Sequence, residues 1–321
     1  MLKIGNLELK SNVLCAPLAG VSDSSYRILC RKYGAKFTFV EMINARAISY
    51  KSKKTKKMLE TDPKDKPIGI QILGAELPYL LKAMDVIKPY NFDLLDFNAA
   101  CPVRKVCRRQ EGAALMKDPK KLQKILKGIV QHWEKPVTMK IRSGWDQENR
   151  NAALVAQLAQ DAGIAALFIH GRDKHQLYKG GVDYSIISQV KKTLSIPVIA
   201  SGDIWNAVLA KKMFDETGCD GILVARGALG NPWIFKELEA YLENRPLPPL
   251  PSTEEVVKAF REHLELSIQE HGEHNGAALM RKYVGWYFKG RHCVRVLRQK
   301  ANELKTRNDF LALFDMALQI S

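Results

Sequence analysis

Acidic residues are the scarce class in this chain of 321 residues. Its 34 Asp plus Glu stand against 50 Lys plus Arg, which leaves a formal net charge of +16. Cysteine is also sparse: the six at 15, 30, 101, 107, 219 and 293 include no C-x-x-C pair. That spacing argues against a zinc site or a disulfide framework and for free thiols in a reducing cytoplasm. No apolar run reaches the length of a membrane span, and Met1-Leu2-Lys3-Ile4 lacks the basic-then-apolar pattern of a signal peptide. Nor does a G-x-G-x-x-G follow the first strand-like run, where Ala16-Pro17-Leu18-Ala19-Gly20 stands instead. An open, doubly wound nucleotide-binding sheet loses its main signature by that absence.

The excess positive charge is clustered. Residues 51–57 carry five lysines and no acid, and Arg104, Lys105, Arg108 and Arg109 follow Cys101 closely. Between Arg281 and Arg307 nine basic residues face a single acid, Glu303. Neutralising phosphates releases condensed counterions, so clusters of this kind suit a nucleic-acid backbone better than a merely solvated surface.

Leu2-Lys3-Ile4 and Leu7-Glu8-Leu9 flank Gly5-Asn6, a two-residue hairpin signal. Eight short apolar runs follow: Val13–Ala16, Phe37–Glu41, Pro67–Leu73, Leu94–Asn98, Val137–Ile141, Ala166–His170, Pro197–Ser201 and Gly221–Val224. Stretches with helical spacing separate them, among them Pro119–Trp133, Asn149–Ala162 and Trp205–Thr217. Strands too apolar for a sheet with one wet face, alternating with helices, predict an α/β protein: a closed parallel (β/α)8 TIM barrel over residues 1–243 with an N-terminal β-hairpin. Residues 244–251, Asn-Arg-Pro-Leu-Pro-Pro-Leu-Pro, read as a stiff proline-rich linker. Residues 252–321 read as a small C-terminal helical bundle, capped at Ser252 or Thr253, with breaks near Gly272, Gly276 and Gly290.

In such a barrel the chemistry gathers where strands end. The first strand-like run ends in small residues that let a flat ring lie against backbone. The third carries Gln71; the fourth ends at Asn98 with Cys101 beyond it; the fifth ends Lys140-Ile141-Arg142. The sixth gives His170-Gly171-Arg172, the seventh Ser201-Gly202-Asp203 and the eighth Ala225-Arg226-Gly227. Gly202 and Gly227, with Arg226 beside the latter, suit phosphate binding by backbone amides at the last two loops. A lysine within an apolar strand needs a partner. For Lys140 that partner is a buried acid such as Asp96, or else the pyrimidine edge of a flavin, whose reduced ring is negatively charged. Cys101 reads either as a small buried hydrophobe or as a reactive thiol.

These residues resemble the tRNA-dihydrouridine synthases, most closely the bacterial B type, over nearly the whole chain. The resemblance rests on Ala-Pro-Leu-Ala-Gly-Val-Ser-Asp at 16–23, Gln71-Ile72, Asp96-Phe97-Asn98 with Cys101-Pro102, and Lys140 to Trp145. It continues through Ile169 to Arg172, Ser201 to Ile204, Arg226-Gly227-Ala228 and Asn231 to Phe235. It implies an FMN-dependent barrel, reduced by NADPH or NADH, that passes a hydride to C6 of a uridine in tRNA while Cys101 protonates C5. It implies that Ala16, Pro17, Leu18, Gln71, Asn98, Lys140, His170, Ser201, Gly202, Asp203, Ala225 and Arg226 contact the flavin. Asn98, Arg142, Arg172 and Gln176 are then substrate contacts, and Arg281 and Lys282 belong to the cluster that grips the tRNA body. A cytoplasmic monomer without metal suffices for this chemistry.

The chain departs from the family's usual pattern at Ala99-Ala100, Ser201, Ala225 and Glu111. Two other readings compete. One is a dihydroorotate-dehydrogenase-like FMN barrel acting on a free pyrimidine, which leaves the basic tail without a use. The other is a non-catalytic RNA-binding barrel, which leaves Cys101, Lys140 and both glycine loops unexplained.

Overall fold

The computed structural model describes residues 1–50 and 53–320, so the start of the lysine run at 51–57 lies outside the described residues. The described strands are β1 (Leu2–Ile4), β2 (Leu7–Leu9), β3 (Val13–Cys15), β4 (Thr38–Asn44), β5 (Ile68–Leu73), β6 (Leu94–Ala99), β7 (Val137–Arg142), β8 (Ala166–His170), β9 (Val198–Ser201) and β10 (Gly221–Val224). β1 and β2 form the antiparallel hairpin, turning through Gly5 at φ 58°. The remaining eight lie in the order β3-β10-β9-β8-β7-β6-β5-β4, parallel at every pairing. The Cys15 amide donates to the Phe37 carbonyl at 3.0 Å and draws the two ends of this order together into a barrel.

Inward-facing Leu14, Phe37, Phe39, Leu94, Phe168, Ile199 and Leu223 fill the barrel at the hairpin's end, in one cluster with Leu2, Ile4 and Leu9. The rings of Phe37, Phe39 and Phe168 meet edge to face. Each buried side chain of this size stabilises the fold by roughly 1.5–3 kcal/mol before conformational entropy is set against it. The apolar floor closes one end and leaves the carboxyl ends of the strands to form the mouth.

β4 runs further than its apolar residues suggest, because its register against β5 shifts between Val40 and Ile43. Such a bulge re-aims side chains, and here it turns Met42 to the barrel mouth and lets Glu41 accept the Gly20 amide at 2.5 Å.

After the helix Ile234–Leu242 and the proline-rich segment, the helix Thr253–His271 opens on a capping box in which Ser252 and Glu255 bond each other's amides at 3.2 and 2.8 Å. It lies against the barrel helix Ser24–Lys32, with Lys32 and Glu262 paired at 2.6 Å. A second hydrophobic cluster runs from the outward faces of the barrel strands through Tyr26 and Cys30 into Phe260, Tyr283 and Tyr287 of the tail. Gly272 separates the first two tail helices at φ 77°, and Gly290 turns the chain at φ 82°. Gly276, read from sequence as a break, lies instead within the helix Glu273–Tyr287. Glycine is needed there for contact: a Cβ would meet the Ile268 backbone at 2.8 Å.

Candidate active site

A cavity of about 580 Å³ opens at the carboxyl ends of the strands. All the expected flavin contacts line it: Ala16, Pro17, Leu18, Gln71, Asn98, Lys140, His170, Ser201, Gly202, Asp203, Ala225 and Arg226. Cys101 and Arg142 line it too. The register explains the convergence, since Gln71 pairs with Asp96, Asn98 with Lys140, and His170 with Ser201 on neighbouring strands.

Lys140 is partly buried within β7, and desolvation, helped by the charge of Arg142, lowers its pKa to about 8. Its ammonium donates to Ser201 Oγ at 3.1 Å, and that hydroxyl donates to the Ile169 carbonyl at 3.1 Å. Asp96, the acid anticipated as its partner, is occupied elsewhere: it accepts from Gln71 Nε2 at 2.6 Å and from the Thr138 hydroxyl at 2.7 Å. Burial pushes the Asp96 carboxyl up to about 6.

Cys101 follows β6 in a loop held at several points. Asn98 Oδ1 accepts the amides of Ala100 and Cys101 at 3.1 and 2.8 Å. Arg142 donates to the Ala100 carbonyl at 2.8 Å and to the carbonyls of Asp173 and Leu177 at 2.9 and 3.1 Å, tying this loop to the one after β8. Gly112, at φ 61°, packs where a Cβ would stand 2.7 Å from the Cys101 carbonyl oxygen. Glu111, one of the departures from the family pattern, is buried but accepts from Asn44 Nδ2 at 2.9 Å, so it seats without conflict. The Cys101 side chain is half-buried, and desolvation raises its thiol pKa, which keeps it protonated.

His170 Nε2 is buried without a hydrogen-bond partner, and burial with the surrounding cations holds the ring well below its usual pKa, hence neutral. Beside it Gly202 takes φ 128°, and a Cβ there would press Val182 Cγ2 at 2.7 Å and His170 Cδ2 at 3.0 Å. At Gly227 a Cβ would fall 2.0 Å from the Ile204 carbonyl oxygen. Asp203 bonds Arg226 at 2.8 Å and is clamped by both terminal nitrogens of Arg172. Arg226 is also flanked by the Tyr178 and Trp205 rings at 4.6 and 5.0 Å.

The structure does not bring every expected substrate contact to this cavity. Arg172 is buried, its guanidinium spent on Asp203 and the Lys179 and Gly180 carbonyls. Gln176 exchanges bonds with Asp173 at 2.8 and 2.9 Å. Arg281 donates to the Leu304 carbonyl at 2.5 Å, and Lys282 reaches back to the Gly20 carbonyl. The tail residue that does enter the mouth is Trp286. Next to it, a second cavity of about 700 Å³ shares Trp205, Arg226 and Trp286 with the first and adds Lys289, Arg291 and Arg298, with no acid among the described residues that line it. The signal was present in sequence as aromatics within the basic run from Arg281 to Arg307, but which of its cations lined the neighbouring cavity was not.

Fold and site together define a (β/α)8 barrel whose strand ends open on one cavity, the place where barrels of this class carry their chemistry. Among solved structures, a morphinone reductase mutant in complex with tetrahydroNAD aligns with TM-score 0.55 at 14% identity, covering 79% of this chain and 92% of that one. Histamine dehydrogenase from Rhizobium sp. 4-9 aligns with TM-score 0.58 at 13% identity, covering 83% and 50%. Both likenesses are of fold. The dihydrouridine synthase (Dus) family model matches residues 14–320, and the chain belongs to that family. The tRNA-dihydrouridine synthase B of Pseudomonas aeruginosa is 39% identical over 308 residues, covering 95% of this chain and 92% of that protein. The protein of the same description from Vibrio vulnificus is 38% identical over 303 residues, covering 94% of each.

Proposed function

We propose that the protein is an FMN-dependent tRNA-dihydrouridine synthase that reduces the C5=C6 bond of specific uridines using NADPH or NADH. The observation that carries this reading is the meeting, in one cavity, of a protonated thiol on a clamped loop with a half-buried lysine and two glycine loops. Family membership and the relatives' names support the substrate class.

The residues present fit a flavin mononucleotide. His170 Nε2 is a buried polar atom in want of a partner, and Gly202 and Gly227 line the cavity with backbone alone, at positions where a Cβ would collide with Val182 and with the Ile204 carbonyl oxygen. Lys140 would face the ring's pyrimidine edge with Gln71 and Asn98 beside it; Ala16, Pro17 and Leu18 would lie along the ring. Ser201, Gly202, Asp203, Ala225 and Arg226 would hold the remainder and its phosphate. Flavin, when bound, supplies a hydride for C6 of the uracil.

Cys101 then delivers its proton to C5, acting as a general acid, the task for which a raised thiol pKa is suited. Asn98 and Arg142, at the same loop, would meet the base once it is turned out of its stack. Arg172 and Gln176 act by shaping the loop after β8, and Arg281 and Lys282 by seating the tail. We assign the chemistry to residues 1–243 and the RNA grip to residues 252–321, joined by 244–251, in a cytoplasmic monomer. No helix among the described residues is long and apolar enough to cross a membrane.

The test is purified protein with NADPH and tRNA lacking the modification. Dihydrouridine at defined positions is expected. A protein that carries FMN and oxidises NADPH, yet reduces only free pyrimidines, would favour the dihydroorotate-dehydrogenase-like reading.

A further inference from the structure

Asp96 lies two residues before Asn98 on β6, is 1% exposed, and does not line the cavity. A carboxylate offers acceptors only. The Thr138 hydroxyl and Gln71 Nε2 fill its two oxygens at 2.7 and 2.6 Å. Gln71 is thereby fixed with its nitrogen toward Asp96 and its oxygen toward Asn98 Nδ2, which donates to it at 2.8 Å. Asn98 in turn has only Oδ1 left for the loop, where it accepts the Ala100 and Cys101 amides. A primary amide reads equally well either way round unless its neighbours decide. Here an acceptor at one end and two backbone donors at the other impose a single direction on the whole chain of bonds. Each amide also retains a second N–H that no bond within the relay uses.

We propose that Asp96 is a positioning residue: it sets the direction of the Asp96–Gln71–Asn98 hydrogen-bond relay and so fixes the loop that carries Cys101. The inference deepens the reading of Cys101 as the proton donor and rests on it for its consequence in turnover. The relay itself is independent of that reading.

The test compares Asp96→Asn, which keeps an acceptor for Gln71, with Asp96→Leu, which keeps the branched shape and removes it. In the flavin-loaded enzyme, the rate of Cys101 alkylation by iodoacetamide is followed by peptide mass spectrometry. The charges acting on the thiol are Arg142 and Glu111 rather than Asp96, so the rate reads how firmly the loop is held. Asp96→Leu is expected to alkylate about tenfold faster and to lose about tenfold in kcat, with KM for tRNA unchanged; Asp96→Asn stays within about twofold of wild type. Equal behaviour of the two variants, in either direction, overturns the relay. Should Asp96→Leu fail to fold, Asp96→Ser, too short to reach Gln71, takes its place with the same expectations. Wild-type protein that forms no dihydrouridine would count against the proposed function, while the alkylation rates would still decide the relay.

Discussion

Lys140 is the residue where stability and function pull hardest against each other. Its folded pKa of about 8 lies below the ordinary 10.5, so burial disfavours the charged form. The unfolded chain therefore holds the proton more tightly, and the penalty is full below pH 8 and fades as pH rises from 8 toward 10.5. A shift of this size corresponds to about 3 kcal/mol. Lys140→Met is accordingly expected to raise the melting temperature of the flavin-free protein at pH 7 while weakening its hold on flavin; calorimetry and a flavin titration read the two effects. A lower melting temperature would mean that Ser201 and the surrounding dipoles stabilise the cation more than burial costs it. At this scale the sequence was legible where a residue was chemically out of place. A lysine in an apolar strand and a cysteine between a strand and a proline both announce themselves. Asp96 announced itself only as a partner for Lys140; its bonds to Gln71 and Thr138 lie in the alignment of β5, β6 and β7, and only the register reveals them.

Among the elements, the loops after β9 and β10 carry stringent backbone demands. At Gly202 both the φ of 128° and the contact with Val182 and His170 exclude a side chain. Gly202→Ala is expected to cost roughly 1–3 kcal/mol of local strain and to show it as lost flavin affinity, measured by fluorescence titration. An unchanged dissociation constant would place the cofactor away from this loop. The strand and helix pattern was readable because parallel barrel strands are apolar on both faces and the helices between them are amphipathic. Two details were not. The extension of β4 depends on a bulge that only pairing with β5 creates. Gly276 carries the ordinary mark of a helix break, yet close packing against Ile268 of the preceding helix makes it a crossing point.

For the molecule as a whole, the tail is bound to the barrel more closely than a linker of prolines suggests. Asp23, in the loop after β3, accepts from His271 at 3.2 Å, and the Ser25 amide donates to Glu270 at 2.9 Å, while Lys282 closes on Gly20. These contacts fix the tail's orientation, so the basic residues divide by role: some seat the tail and others line the cavity beside the mouth. Composition indicated a polyanion partner but could not make that division. Lys289→Glu and Arg298→Glu are expected to weaken tRNA binding and to flatten its salt dependence by about one unit of slope per cation removed, leaving flavin reduction by NADPH unchanged. Filter binding at several salt concentrations, beside stopped-flow bleaching of the flavin, separates the two. The central claim remains the pairing of a hydride donor with Cys101 as the acid, and single turnover of the prereduced enzyme with unmodified tRNA tests it most directly. Wild-type protein is expected to form dihydrouridine as the flavin reoxidises, while Cys101→Ala binds flavin and tRNA but leaves the flavin reduced and the uridine intact. Dihydrouridine formed by Cys101→Ala at the wild-type rate would contradict the account.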